Sequence, residues 1–180
     1  MVITSLASII ICWLLSMIIG ISAYHKMKSW PRFLASMSAY KILPSWAPPE
    51  AGGILLIFCE LTATVLLLGM QYWGLVVAMA LLFLYSLVIT ANLIRGRSHI
   101  DCGCGDEPSP ISFVLVGRNL LLLGLAYFAS EYVYAFPTLN WSTLIFAALS
   151  AGLFYGVYMI FEQLLTNRGR HIRLWLGEQS

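Results

Sequence analysis

Residues 72–94 read YWGLVVAMALLFLYSLVITANLI, and this stretch decides the fold class of the chain. It contains no Asp, Glu, Lys or Arg. At about 1.5 Å per residue, an α-helix over the whole stretch is roughly 35 Å long. The hydrocarbon core of a bilayer is about 30 Å thick and is crossed by about 20 apolar residues. Residues 72–94 are therefore predicted to form a transmembrane helix.

The rest of the chain has the same character. Of its 180 residues, 60% are apolar and 10% are charged, and the mean hydropathy is +0.85. A soluble domain of this composition would have to cover its surface with aliphatic and aromatic side chains. We therefore expect a single all-α, polytopic integral membrane domain, with lipid as its surroundings and no nucleic-acid partner. Its five predicted spans are residues 3–23, 51–69, 72–94, 111–130 and 141–165.

A shorter amphipathic segment follows the first span. Trp30, Phe33 and Met37 recur at helical spacing, while Arg32 and Lys41 take the opposite face. A proline is tolerated in a first helical turn, and this segment has one at its start. The pattern predicts a short interfacial helix over about residues 31–43.

The basic residues are distributed unevenly between the two ends of the predicted bundle. Apart from Arg118, all of them fall on the side that holds the C-terminus, and the other side has none. The positive-inside rule then predicts an outer N-terminus and an inner C-terminus, which puts the loop of residues 95–110 on the inner side. The residues concerned are Lys26, Lys28, Arg32, Lys41, Arg95, Arg97, Arg168, Arg170 and Arg173.

Polar residues within the spans gather near the inner end. A charged side chain inside a span costs at least about 2.5 kcal/mol, so each one is a candidate functional residue. Glu60 and Arg118 lie about 13 Å and about 10 Å from the inner ends of their spans, with Asn119 beside Arg118 and Asn92 near the edge. Two compatible interpretations remain. Glu60 and Arg118 form an ion pair that fixes helix packing, or the layer binds a quinone headgroup and handles its protons.

The loop of residues 95–110 contains Cys102 and Cys104, one glycine apart. A disulfide that closes so small a loop adds little stability and is easily reduced, as a redox-active pair must be. His99 could complete a three-ligand metal set with the two cysteines, but a fourth soft ligand is missing. Inert thiols are the third interpretation, and the spacing favours the redox pair, so no metal site is predicted.

Cys12 and Cys59 differ from that pair because each sits within an apolar run. There cysteine usually behaves as a small hydrophobe. Their estimated depths differ by roughly 6 Å, and we predict no disulfide between them.

The stretch RGRSHIDCGCGDEPSPIS followed by LVGRNLLLL, residues 95–123, resembles the signature of the MauE family, which is related to the DoxX family. The segments AYHKM, YKILP and FCELTATVLLLG resemble the corresponding DoxX-type elements. By analogy with the quinone-linked enzymes DsbB and vitamin K epoxide reductase, the resemblance implies a four-helix core with the remaining span at its edge.

The resemblance also implies a membrane thiol–disulfide oxidoreductase of the bacterial inner membrane. In that scheme Cys102 and Cys104 oxidise a thioredoxin-like partner similar to MauD. Electrons then pass to a ubiquinone or menaquinone held by Glu60, Asn92, Arg118 and Asn119. The activity would support disulfide formation in the small subunit of methylamine dehydrogenase.

Three alternatives stay open. The chain could be a non-catalytic scaffold or chaperone for the thioredoxin-like partner, or a metal-binding protein that uses His99, Cys102 and Cys104. It could also be a transmembrane conduit that takes electrons from cytoplasmic thiols. The charge distribution favours the conduit because it places the cysteines inside, whereas the family resemblance implies that they face outward.

Overall fold

The computed structural model describes residues 2–41, 48–97, 100, 110–132 and 140–177, with side chains described as far as residue 164. Within these ranges the chain is helical and has no β-strand. The helices are α1 (Val2–Lys28), α2 (Trp30–Tyr40), α3 (Pro49–Leu68), α4 (Tyr72–Ile94), α5 (Phe113–Tyr132) and α6 (Trp141–Gly177).

Five of these helices, all except α2, are long and apolar enough to cross a membrane. The predicted all-α polytopic bundle with a short additional helix is therefore confirmed. Three helix ends lie more than two residues from the prediction, and the largest difference is at α6, which continues to Gly177. Helix α1 continues five residues beyond Ala23 because nothing in Tyr24–Lys28 breaks a helix. Helix α2 ends at Tyr40, because Lys41 adopts a left-handed backbone conformation with φ of 49°.

Four of the long helices form a closed ring. Helix α1 packs against α3, α3 against α4, α4 against α5, and α5 returns to α1, while α6 packs on the outside of α1. Helices α3 and α5 therefore stand diagonally across the ring. This arrangement confirms the four-helix core with one span at its edge.

Large aliphatic side chains fill the ring, and small ones allow its helices to approach closely. Leu15, Leu67 and Leu75 are fully buried in its centre. As far as Leu164, helix α6 buries only the small side chains Ala147 and Ala151 and exposes most of its large apolar ones, as expected of a lipid-facing helix.

Helices α1 and α3 run antiparallel in a register that two hydrogen bonds define. The Ser16 hydroxyl donates to the Thr64 carbonyl at 3.1 Å, and the Trp13 indole donates to the Leu68 carbonyl at 3.3 Å. In this register Cys59 lies level with residue 22, so about 15 Å along the helix axis separates it from Cys12. Both thiols are free, which confirms that they form no disulfide. The separation exceeds the predicted 6 Å because α1 extends further than expected.

The turn between α3 and α4 is tight. Met70 has φ of 53°, and the backbone N–H groups of Met70 and Gln71 donate to the carbonyls of Leu67 and Leu66, which is the Schellman arrangement. A Cβ on Gly74 would lie 2.7 Å from the Leu67 nitrogen, so only glycine fits there. Residues 69–71 alone connect α3 to α4.

We call the opposite end of the bundle, where α1 and α4 finish and α3 and α5 begin, the basic end. The hydrophobic face of α2 covers it from the side, where Trp30 and Phe33 lie against Gly53 of α3. A Cβ on Gly53 would come within 2.9 Å of the Trp30 ring. The polar residues described next lie on the inside of this end.

Candidate functional site: a buried ion pair near the basic end

An ion pair between Lys26 of α1 and Glu60 of α3 lies inside the ring. Their side chains are only 2% and 1% exposed. In the register of α1 and α3, the backbone of Lys26 is about five residues, or roughly 7.5 Å, nearer to the basic end than that of Glu60. Helical side chains tilt toward the helix N-terminus, so the long lysine stem reaches back into the bundle and brings its ammonium group to the carboxylate.

One oxygen of the Glu60 carboxylate, Oε1, makes all of the polar contacts described for this carboxylate. Oε1 of Glu60 contacts the Lys26 ammonium, and it accepts hydrogen bonds from the hydroxyls of Tyr85 at 2.5 Å and of Ser22 at 3.5 Å. The Lys26 ammonium also donates to the Ser22 hydroxyl at 2.8 Å and lies 5.2 Å from the centre of the Tyr85 ring. Helices α1, α3 and α4 thus meet at one carboxylate oxygen.

The second oxygen of Glu60 is unused. Oε2 is buried and has no hydrogen-bond partner in the described structure. A buried carboxylate oxygen without a donor loses its hydration without replacement, at a cost of about 1–3 kcal/mol. Oε2 of Glu60 can therefore accept a hydrogen bond or a proton from a bound group.

A second ion pair joins α5 to α6. The Arg118 guanidinium contacts the Glu162 carboxylate, and its Nε and Nη2 donate to the Asn119 side-chain oxygen at 3.3 Å and 3.2 Å. This pair is less buried, since the side chains of Arg118 and Glu162 are 10% and 28% exposed. This ion pair links α6, the helix at the edge, to α5 of the ring.

The prediction that Glu60 and Arg118 pair with each other is therefore wrong. Depth in the membrane places both near the same level, but α3 and α5 lie diagonally across the ring, so each charge finds a nearer partner. The sequence pattern places Lys26 among the basic residues outside the spans and does not indicate a role for Glu162. The sequence did carry a signal for Lys26, because it continues the buried stripe Cys12, Leu15, Ile19 and Ala23 at helical spacing.

Two buried amides complete the polar layer. Asn92 of α4 is fully buried and Asn119 of α5 is 2% exposed. The Asn92 amide nitrogen donates to the Val88 carbonyl at 3.1 Å, whereas its Oδ1 has no partner. The Nδ2 of Asn119 likewise has none in the described part of the chain. One free acceptor and one free donor therefore lie on adjacent helices.

Cys102, Cys104 and His99 lie outside the described residues, but the base of their loop does not. The Ile111 N–H donates to the Ile100 carbonyl at 3.0 Å, and both residues are buried in a small cluster that includes Tyr40. The loop thus leaves and re-enters the bundle at the basic end, which is also the end toward which the Lys26 backbone lies.

Five membrane-length helices, four of which enclose a buried ion pair, define the chain as a multi-pass α-helical membrane protein. The family model for the methylamine utilisation protein MauE matches residues 4–131. The chain belongs to the MauE family. The matched region holds the whole four-helix ring, the Lys26–Glu60 pair and the two loop cysteines, whereas α6 and Glu162 lie beyond it.

Curated relatives named methylamine utilization protein MauE agree with this assignment. The protein from Methylophilus methylotrophus is 36% identical over 125 residues, which cover 68% of this chain and 64% of the relative. The protein from Paracoccus denitrificans is 28% identical over 115 residues, which cover 62% of each chain. The chain thus aligns with less than two thirds of the length of these relatives. No solved structure matches it.

Proposed function

We propose that this protein is a membrane thiol–disulfide oxidoreductase of the bacterial inner membrane that works in methylamine utilisation. The observation that carries the proposal is the buried group of Lys26, Glu60 and Tyr85. Ionisable residues inside a membrane bundle are costly and usually serve a proton or ligand pathway. This group lies toward the end of the bundle at which the Cys102 and Cys104 loop begins and ends.

In the first step the protein exchanges a disulfide with a thioredoxin-like partner. A MauD-like protein would be such a partner. A thiolate of the reduced partner attacks one sulfur of a Cys102–Cys104 disulfide, which breaks that bond and forms a mixed disulfide. The second thiol of the partner then displaces the remaining cysteine. The partner leaves oxidised, and Cys102 and Cys104 keep two electrons as thiols. The oxidised partner could in turn introduce disulfides into the methylamine dehydrogenase small subunit.

The second step restores the disulfide. A ubiquinone or menaquinone supplies an acceptor for two electrons and two protons, which are the two electrons and two protons that the dithiol gives up. The residues present suit such a headgroup, because Asn119 Nδ2 can donate to a ring oxygen while Asn92 Oδ1 and Glu60 Oε2 can accept from a ring hydroxyl. Lys26 and Tyr85 hold Oε1, which leaves Oε2 as the atom that can receive a proton.

A second candidate, an electron conduit from cytoplasmic thiols, is favoured by the charge distribution. In the folded protein Lys26 is buried in an ion pair and is not a loop charge. Eight Lys and Arg residues still lie at the basic end or in the last part of α6, and the other end has none. The oxidase requires that the cysteine loop face the periplasm, and the conduit requires that it face the cytoplasm.

The test of the oxidase uses the full chain in lipid nanodiscs with a reduced thioredoxin-like partner and a soluble quinone analogue. The expected result is one quinone reduced for each partner disulfide formed, with loss of the reaction in Cys102→Ser and in Cys104→Ser. Cys59→Ala is the matched control and should react normally. Binding of the partner without quinone reduction would contradict the oxidase and support the non-catalytic scaffold.

Labelling in intact cells separates the oxidase from the conduit. A membrane-impermeant maleimide is applied before and after mild reduction in a Cys12→Ala, Cys59→Ala background. Labelling of Cys102 and Cys104 only after reduction supports a disulfide on the outer face. Labelling that requires opened cells supports the conduit and contradicts the oxidase.

A further inference from the structure

A cleft of about 530 Å³ lies at the basic end, between α2 and the residues that follow α4. Arg32, Lys41 and Arg97 contribute three positive charges to its lining, and the described lining includes no acidic residue. Ala35 and Ala39 of α2 are small, so they leave room for a group beneath the charges. The cleft is distinct from the Lys26–Glu60 pair, which lies inside the ring.

The backbone fixes Arg97 at this cleft. Gly96 has φ of 72°, a left-handed conformation that favours glycine. The N–H of Gly96 donates to the Leu93 carbonyl and that of Arg97 to the Asn92 carbonyl, each at 3.0 Å, so α4 ends in a Schellman motif. Arg97 is therefore anchored by the end of a ring helix and does not sit on a free tail.

The guanidinium of Arg97 is incompletely satisfied. Its Nη1 is buried and has no hydrogen-bond partner among the residues that the structure describes. Arginine matches the oxygens of a phosphate with two parallel N–H donors, and Lys41 at the exposed rim can add a point charge. A buried donor on Arg97, in a cleft whose lining also includes Lys41, suits an anion with several acceptor oxygens.

We propose that this cleft binds the phosphate of an anionic phospholipid headgroup. The cleft lies against α2, the short amphipathic helix predicted to lie in the membrane interface, which is the level of lipid phosphates. Basic pockets beside transmembrane helices bind such headgroups, and the small apolar side chains of Ala35, Ala39 and Ile100 suit the glycerol portion. The proposal does not depend on the redox chemistry of the cysteine loop.

The test is native mass spectrometry of the full chain in neutral detergent, titrated with dioleoyl phosphatidylglycerol or dioleoyl phosphatidylcholine. The wild-type chain should retain the anionic lipid in preference. Arg97→Gln should weaken that binding at least roughly tenfold, the effect of one charge-assisted hydrogen bond. Arg95→Gln is the matched control, because Arg95 is exposed, outside the cleft lining and only two residues away.

Three results would overturn the proposal. Equal weakening by Arg97→Gln and Arg95→Gln would show that surface charge attracts the lipid without a specific site. Equal retention of the two lipids would show that the cleft does not select anionic headgroups. Inorganic phosphate that binds in an Arg97-dependent way without any lipid preference would show a site for the free ion. If Arg97→Gln fails to fold, Arg97→Lys keeps the charge, loses the bidentate fork and should still weaken binding.

Discussion

Replacing Lys26 with methionine isolates the contribution of the buried ion pair. Methionine preserves the length and apolar stem of lysine, so the substitution removes the charge and little packing. Glu60 is only 1% exposed, so water cannot take the place of the ammonium group. Removal of one member of a buried pair costs about 3–5 kcal/mol because the remaining charge stays buried without compensation. We expect a loss of about that size for Lys26→Met.

The double variant Lys26→Met, Glu60→Gln provides the decisive comparison. Replacement of both charges by neutral groups of similar volume is often close to neutral for stability, so most of the loss should be recovered. Unfolding in mixed micelles with increasing sodium dodecyl sulfate, followed by circular dichroism, measures each variant. The more exposed Arg118–Glu162 pair serves as a comparison, and Glu162→Gln should cost less than Lys26→Met because Arg118 keeps the Asn119 oxygen as an acceptor. A double variant no more stable than Lys26→Met alone would refute the reasoning.

Three further predictions concern single positions. Gly74→Ala should destabilise the bundle by about 1–3 kcal/mol in the same unfolding assay, because its Cβ would meet the backbone of α3, whereas Gly117→Ala meets nothing within 4 Å and should not destabilise it. Met70→Gly should stabilise the protein by about 1 kcal/mol, because glycine adopts the left-handed backbone conformation of this position without strain. An unchanged or lower midpoint of unfolding would contradict this account of the turn. Tyr85→Phe removes one hydroxyl donor to the buried carboxylate. It should slow quinone reduction while partner binding is unchanged, and equal rates for the two proteins would remove Tyr85 from the proposed site.

The positions of the helices along the chain follow from local properties of the sequence. A run such as residues 72–94 is fixed by its own length and polarity, so all five spans could be predicted without knowledge of their neighbours. The same is true of the short amphipathic helix α2. Its end could not be placed to the residue, because the left-handed conformation of Lys41 is a backbone choice that hydrophobic periodicity does not report.

The partners of the buried charges depend on the tertiary structure. Depth along a span could be estimated for Glu60 and Arg118, and both do lie within the polar layer. The direction in which each side chain points around its helix could not be estimated without knowing the order of helices in the ring. Asn92 and Asn119 needed no partner assignment, and both are buried as an intramembrane polar site requires.

The pairing of Lys26 with Glu60 has a consequence for biosynthesis. The two residues are 34 positions apart, so α1 is complete before its counter-charge has been translated. At roughly 5–20 residues per second, the delay is about 2–7 s. During that interval Glu60 is absent, so we expect Lys26 to remain at the membrane surface and to act there as an orienting charge for the first helix. Only when α3 arrives can the ammonium group withdraw into the bundle. The same lysine would thus act first as an orienting charge during insertion and then as one member of the buried ion pair.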